Sequence, residues 1–358
     1  MSSTSGKVFY DTTKHLLDVY DKEARKMAFS ASSKDEFETW KAALREKFRE
    51  ISGMSRMETC ALMPHSLEKT AMDGYTREKI IIQTEPDVWM PFYVLMPDSP
   101  TGKCVIAAHG HESDGKNAVA GCSDFSVPEI AEKHKRLNYA YGVDFVKRGF
   151  IVFCPDARGF GERREWALHD TVGVDTLKSS CNQLNRMAIC LGLSLGGMWA
   201  WDLQRLVDYI ETRPDCNMDK LGCVGLSGGG YQTLMLTALD DRIKCAVSSG
   251  YFYGIRDALL KLSDNCDCNY IPNLWKVLDM GDLAAMIAPR PFLVETGTED
   301  PLNGERGIDN VSEQLDIARA AYRLFDAENL LEWFVFEGGH IWHGEKTCDF
   351  VESHLKGS

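Results

Sequence analysis

Two serines of the chain stand in the spacing Gly-x-Ser-x-Gly, which can present a hydroxyl as a nucleophile. One copy spans residues 192–196 around Ser194, and the other spans residues 225–229 around Ser227. The spacing serves chemistry only where a strand turns sharply into a helix. There, small neighbours let the strand and the helix approach each other, and the turn holds the hydroxyl within reach of a base.

The sequence around each copy favours Ser227. A compact apolar run, 221–225, precedes Ser227, and a helical stretch and a further apolar run follow it. Ser194 would need an additional strand over 187–191, and its motif instead runs into the helix before the 221–225 run. We therefore predict Ser227 as the nucleophile and expect Ser194 to cap the N-terminus of a helix.

A serine hydroxyl is a weak nucleophile until a neighbouring base takes its proton. Asp300 and His340 each follow an apolar run, in the chain order serine, acid, histidine. Asp300 would orient the imidazole of His340 and stabilise its protonated form. Glu295 and Glu299 are alternative acids, but the first lies within the apolar run and the second is one residue short. His343 is an alternative base.

Acyl transfer also needs donors for the negative charge of the tetrahedral intermediate. The residue after the nucleophile, Gly228, should supply one backbone N–H. The sequence His109-Gly110-His111 follows an apolar run, and its glycine allows the backbone to bend, so we predict the His111 N–H as the second donor. The alternative is a glycine turn that carries two histidines without a role in chemistry.

The surrounding elements predict an α/β fold. Residues 11–27 and 33–51 have helical spacing, which predicts an N-terminal helical extension over 1–77. From residue 78 onwards, short strands alternate with helices, which predicts a mostly parallel eight-stranded sheet with helices on both faces, in a catalytic domain over 78–358. The predicted strands are 79–83 and 89–96, which form a hairpin, and 105–108, 150–154, 221–225, 244–247, 291–295 and 331–336. Residues 157–188 read as an excursion near the top of the sheet.

Five segments resemble the acetylxylan-esterase-like and dienelactone-hydrolase-like bacterial branch of the α/β-hydrolase superfamily. They are Ala108-His109-Gly110-His111, Asp156 to Glu162, Gly225 to Gly230, Ala288 to Pro291 with Gly297 to Pro301, and Glu337-Gly338-Gly339-His340. The resemblance covers about residues 78–350. It implies triad roles for Ser227, Asp300 and His340, and it implies that Asp156 and Arg158 shape the entrance of the site. True dienelactone hydrolases use cysteine as the nucleophile, which argues against a dienelactone substrate.

The predicted function is therefore that of a serine esterase acting on a small ester, such as an acetylated sugar. Trp166, Trp275 and Trp342 could stack on a sugar ring, or they could pack in the core or at the rim. Of these we retain Trp342, with Arg158, as a substrate contact. A peptidase of the prolyl-oligopeptidase type is one alternative, although only about 75 residues precede the sheet, too few for a propeller with blades of about 40 residues. A binding protein without catalysis is another.

The overall composition limits the partners. The net charge of -13 disfavours nucleic acids and membrane surfaces. The 12 cysteines are unpatterned, and the spacing of Cys266-Asp267-Cys268 suits neither a usual zinc knuckle nor a redox motif. We predict no metal and no cofactor. The N-terminus has no apolar leader segment and no run reaches a membrane span, so we expect the cytoplasm. The sequence leaves open whether the chain forms a homo-oligomer.

Overall fold

The computed structural model of the chain, which describes residues 3–4, 7–8, 10–111, 113–261 and 265–356, is organised around one nine-stranded sheet. The strands of the chain are β1 Ser3–Thr4, β2 Lys7–Val8, β3 His65–Ala71, β4 Tyr75–Glu85, β5 Val88–Pro97, β6 Cys104–Ala108, β7 Ile151–Pro155, β8 Leu221–Leu226, β9 Cys245–Ser249, β10 Phe292–Gly297 and β11 Leu331–Phe336. The sheet order is β11-β10-β9-β8-β6-β7-β5-β4-β3, and β1 and β2 pair only with each other. Strands β6 to β11 run parallel, and β3, β4 and β5 are antiparallel additions. The predicted mostly parallel sheet is confirmed.

Helices cover both faces of this sheet. They are α1 Thr13–Glu23, α2 Lys34–Ser52, α3 Lys116–Val119, α4 Pro128–Leu137, α5 Tyr141–Lys147, α6 Cys181–Cys190, α7 Leu195–Glu211, α8 Gly228–Leu239, α9 Leu274–Val277, α10 Met280–Ala285, α11 Ile308–Arg323 and α12 Thr347–His354. The side chains of β6 alternate between two separate cores: Ile106 belongs to the core that includes side chains of α2, α7 and α8, and Val105 belongs to the core that includes side chains of α5 and α12. Among the described helices, none has both the length and the apolar content that crossing a membrane requires.

The prediction of eight strands is wrong by one. All eight predicted strands form, but β3 pairs with β4 as an additional edge strand. Six of its seven residues are exposed, so it has no apolar pattern that the sequence could show. Its backbone hydrogen bonds to β4 stabilise it instead. Since β3 lies within residues 1–77, the sheet begins earlier than the predicted boundary at residue 78.

The N-terminal segment is also joined to the body of the protein by its own contacts. Phe37, Leu44 and Phe48 on α2 are fully buried in the same core as α7 and α8. Arg25 forms an ion pair with the buried Asp282 of α10, at 2.8 Å. The helices predicted here are confirmed, but they share one hydrophobic core with the sheet.

The excursion after β7 consists of short turns and one helix. Short 3₁₀ helices occupy Gly161–Arg163, Trp166–Leu168 and Gly173–Leu177, and α6 follows them. Helix α6 covers the residues that would have had to form a strand before Ser194. The structure therefore removes the strand-to-helix context that Ser194 needs as a nucleophile.

Candidate active site

Ser227 occupies a one-residue turn between β8 and α8. Its backbone has φ 58° and ψ −122°, a region that side-chain-bearing residues rarely adopt and that is typical of functional sites. The flanking glycines are required by space: a Cβ on Gly225 would lie 2.3 Å from the carbonyl carbon of Gly229, and one on Gly229 would lie 2.0 Å from the carbonyl oxygen of Ala108. The sequence motif thus forms the sharp turn that raises a hydroxyl above the sheet.

Ser194 is buried and has a structural role. It is the N-cap of α7, where its hydroxyl accepts a hydrogen bond from the Gly197 N–H at 3.1 Å and donates one to the Ser52 carbonyl at 2.8 Å. The expectation that Ser194 caps a helix is confirmed.

His340 and Asp300 meet beyond the carboxyl ends of β10 and β11. The imidazole Nδ1 donates to a carboxylate oxygen of Asp300 at 2.8 Å, and the other oxygen accepts the Leu302 N–H at 2.9 Å. His340 lines the same cavity as Ser227. Within the described residues no hydrogen bond joins the Ser227 hydroxyl to His340, as is common before substrate tightens such contacts.

Glu295, an alternative acid, holds the loop that carries His340. It is buried in β10 and accepts hydrogen bonds from Ser249 Oγ, Thr347 Oγ1 and the backbone N–H groups of His343 and Gly344, at 2.7 to 3.3 Å. The other alternative acid, Glu299, is exposed and does not line the cavity, and neither does His343, the alternative base. The geometry therefore favours Asp300 and His340.

The two residues predicted to supply the oxyanion donors lie next to each other. The backbone nitrogen of His111 is 3.4 Å from the position that a Cβ on Gly228 would take. Tyr139, whose hydroxyl donates to the His111 carbonyl, and Gln232, whose amide donates to the His109 and Gly228 carbonyls at 3.0 and 3.2 Å, fix this arrangement. No short motif marks Tyr139 or Gln232, because each lies far along the chain from the loop it holds.

The buried side chain of His109 also stabilises the loop that carries His111. Its Nε2 accepts the Ala157 N–H at 3.0 Å, and its Nδ1 lies 2.9 Å from the Gly110 carbonyl. Burial lowers the pKa of His109, so the ring stays neutral. Because Nε2 is an acceptor, Nδ1 carries the hydrogen and donates a hydrogen bond to the Gly110 carbonyl. His109 thus joins the loop after β6 to the loop after β7.

Arg158 and Asp156 do not shape the cavity of Ser227, which corrects the prediction. Arg158 is directed into the protein, where it pairs with Asp202 at 2.8 Å and with Glu85 at 2.6 Å. Burial alone would raise the pKa of Asp202, but Arg158 and Arg163 outweigh burial and lower it. Asp156 is fully buried and forms an ion pair with Lys116 at 2.8 Å. Buried charges need such partners, and these residues use theirs within the fold.

Trp342 is not available to a substrate either. It is 1% exposed and stacks on Tyr141 with ring centroids 4.2 Å apart, so its predicted substrate role is wrong and it packs in the core. Trp166 is exposed on the excursion, and Trp275 lines a different surface depression. The aromatic residue that does line the cavity is Tyr139.

The cavity has a volume of about 360 Å³ and opens beside Ser227 and His340. It is lined by His111, Leu137, Tyr139, Ser227, Asn265, Cys266, Pro301, Leu302 and His340. Cys266 belongs to a group of thiols: its Sγ and that of Cys268 lie within 4.8 Å of each other, and neighbouring thiols, Cys181 first, lower the pKa of Cys266. Thiols in this wall were not expected from the sequence.

Known proteins share this architecture. YtaP of Bacillus subtilis (strain 168), which is named as a hydrolase, is 27% identical over 235 residues, 63% of this chain and 70% of its own length. A protein of Bacteroides fragilis NCTC 9343 named as an acetyl xylan esterase superposes with a TM-score of 0.75 at 21% identity, over 94% of this chain and 84% of its own. A glucuronoyl esterase of Teredinibacter turnerae T7901 superposes with a TM-score of 0.65 at 15% identity, over 93% and 88% of the two chains.

At these identities the two structures establish a common fold. A family model described as the abhydrolase family matches residues 2–334, most of the chain. The resemblance to α/β hydrolases is thereby confirmed. The match begins in the N-terminal segment, before residue 78, and ends at residue 334, before the Glu337 to His340 motif. The chain is a member of the abhydrolase family, with the α/β-hydrolase fold.

Proposed function

We propose that the protein is a serine esterase that cleaves small carboxylic esters through an acyl-enzyme on Ser227. One observation carries the proposal: a serine on a strained strand-to-helix turn opens onto the same cavity as a histidine that is hydrogen-bonded to a buried aspartate. A nucleophile, a base and an orienting acid at the ends of separate parallel strands form the arrangement that activates a hydroxyl.

In the first half of the reaction, His340 removes the proton of Ser227 while the hydroxyl oxygen bonds to the ester carbonyl carbon. The N–H groups of His111 and Gly228 stabilise the oxyanion, and Asp300 stabilises the imidazolium. The imidazolium then gives its proton to the departing alcohol as the ester C–O bond breaks. Water, activated by His340, hydrolyses the acyl-serine in the same way and restores the free enzyme.

The size of the cavity favours short acyl groups. At about 360 Å³ it lies near the lower limit of ordinary ligand pockets. Leu137, Leu302 and Pro301 supply apolar wall against which an acetyl or similarly short group could pack. Two structural relatives are named as an acetyl xylan esterase and a glucuronoyl esterase. Together these observations support an acetylated sugar or another small ester as the substrate class.

The test is a panel of p-nitrophenyl acetate, butyrate and octanoate, acetylated xylo-oligosaccharides and a dipeptide anilide. It is run with the wild type, Ser227→Ala and the matched control Ser194→Ala, and each protein is also treated with a fluorophosphonate probe. We expect acetate to be preferred to octanoate, and Ser227→Ala to lose on the order of 10⁴-fold or more in kcat and all labelling. Ser194→Ala should retain turnover and labelling, and lose about 1 kcal/mol of stability as a helix cap is removed.

Two outcomes would contradict the proposal. Cleavage of the anilide without cleavage of any ester would favour the peptidase alternative. Loss of turnover in Ser194→Ala but not in Ser227→Ala would mean that the wrong serine was assigned. Three expectations stay predictions. They are that the protein is located in the cytoplasm, that its acidic surface does not bind nucleic acids or membranes, and that it could form a homo-oligomer.

A further inference from the structure

A group of sulfur and nitrogen atoms lies in the wall of the Ser227 cavity, outside the triad. His111 Nε2 is 3.2 Å from Cys268 Sγ, and one ligand atom each of His111, Cys266 and Cys268 all lie within 4.8 Å of one another. Cys268 is fully buried, whereas Cys266 and the His111 side chain border the cavity. These three side chains come from two segments that are 157 residues apart, at His111 and Cys268.

The separations fit a tetrahedral metal. With Zn–N of about 2.0 Å and Zn–S of about 2.3 Å, neighbouring nitrogen and sulfur ligands lie about 3.5 Å apart and two sulfurs about 3.8 Å apart. The observed group needs only small side-chain shifts to reach these values. Two thiols with one imidazole form a soft donor set that suits Zn²⁺ and excludes Mg²⁺ and Ca²⁺, which prefer oxygen.

The elements that carry the donors are themselves well fixed. Tyr139 holds the His111 carbonyl. Cys268 lies in the 3₁₀ turn Asp267–Asn269, which Asn185 of α6 holds by donating to the Asp267 carbonyl at 2.7 Å. Asn182 of α6 accepts hydrogen bonds from Cys266 Sγ at 3.7 Å and from the Asp267 N–H at 3.2 Å. Preorganisation of this kind lowers the cost of bringing ligands together around an ion.

We propose that His111, Cys266 and Cys268 bind one Zn²⁺ ion in the wall of the active-site cavity. The position of Cys266 and His111 at the cavity surface leaves the fourth coordination position facing the cavity, where water would fill it. Asn182 of α6 positions Cys266. The ion would fix the ring of the residue whose backbone N–H serves the oxyanion, so it would stiffen that loop. The proposal requires neither Ser227 nor the esterase reaction.

The experiment measures metal directly. Protein with a tag that lacks histidine is purified from zinc-supplemented cells under reducing conditions, and its zinc is measured by mass spectrometry of the elements. We expect about one zinc per chain in the wild type and in Ser227→Ala, and a loss of most of it in Cys266→Ser/Cys268→Ser and in His111→Ala. The matched control Cys60→Ser/Cys190→Ser removes two thiols away from the cavity and should keep the metal. Replacement of zinc by Co²⁺ should give the sulfur-to-cobalt absorption and intense visible bands of a tetrahedral thiolate site.

Three results would overturn the proposal. These are a wild type without stoichiometric zinc, equal zinc in the two double-cysteine variants, or a cobalt spectrum typical of oxygen ligands. If a variant unfolds, competition between the wild type and a chromogenic chelator still decides, since the site predicts a single tight equivalent. Retention of zinc by an inactive Ser227→Ala separates this inference from the esterase proposal.

Discussion

Two buried carboxylates near the end of β10 illustrate how similar residues acquire different roles. Asp300 contacts an imidazole at the cavity, whereas Glu295 is surrounded by backbone and hydroxyl donors of the loop that follows His340. The first can stabilise charge that appears during a reaction. The second satisfies donors that would otherwise be buried without a partner, which affects folding more than chemistry.

This difference gives a paired prediction. Asp300→Asn should lower kcat for p-nitrophenyl acetate by roughly 10⁴-fold, because the amide cannot hold the correct imidazole tautomer, and should change the free energy of unfolding little. Glu295→Gln should lower the free energy of unfolding by about 1–3 kcal/mol, because it places an NH₂ group against N–H donors, with a smaller loss of kcat. Urea denaturation and initial rates on both variants provide the measurements. Equal loss of kcat in the two variants would contradict the assignment of the acid.

At the scale of elements, the N-terminal segment is attached to α10 through two aspartates. Asp282 accepts hydrogen bonds from Arg25 and from the Phe29 N–H, and Asp279 caps the helix and accepts a hydrogen bond from Tyr20 at 3.3 Å. Burial raises the pKa of Asp279 to about 6, despite hydrogen bonds from backbone N–H groups that oppose the shift. The attachment is therefore sensitive to pH.

The sign of that dependence follows from linkage. The folded state holds the Asp279 proton more tightly than the unfolded state, in which the pKa is about 3.9. The contribution of Asp279 to stability is therefore complete below pH 4 and is lost as the pH rises through 6. The gap in free energy of unfolding between the wild type and Asp279→Asn should move against the wild type by about 2 kcal/mol from pH 4 to 7, at about 1.4 kcal/mol per pKa unit, since the unfolded aspartate is already half ionised at pH 4. Denaturant titrations at each pH measure it, and a constant gap would show that Asp279 does not titrate in this way.

At the scale of the whole molecule, one core includes side chains from before and after the predicted boundary at residue 78. The buried side chains Phe37, Leu44 and Phe48 each contribute about 1.5–3 kcal/mol, and together they approach the net stability of an ordinary domain. The edge strand β3 additionally covers β4, whose backbone would otherwise be open to pairing with other chains.

A fragment over residues 78–358 should therefore fail to fold alone, although it contains every predicted catalytic residue. We expect it to aggregate or to show no cooperative thermal transition in near-ultraviolet circular dichroism, in contrast to the full chain. Co-expression with a separate 1–77 segment should recover part of the soluble protein. A soluble 78–358 fragment with a cooperative transition and full esterase activity would contradict this expectation. It would mean that the catalytic domain folds independently of the N-terminal extension.

The sequence by itself determined the alternation of strands and helices, the Ser227 turn and the order of the triad candidates. These depend on local requirements: apolar runs for strands buried on both faces, and glycines where a backbone must approach another. Strand β3 was not predicted, because an exposed edge strand is stabilised by backbone pairing and its sequence needs no apolar pattern.

Only the tertiary structure decided which charged, aromatic and sulfur side chains face the cavity. Arg158 and Trp342 have residue types that suit ligand binding, yet one pairs with Asp202 and the other stacks on Tyr141. Conversely, Cys266 and Tyr139 line the cavity, although no sequence motif marks either residue as part of a site. The physical reason is that the direction of a side chain depends on what other segments, far away in the sequence, place beside it, and a local pattern contains no information about those neighbours.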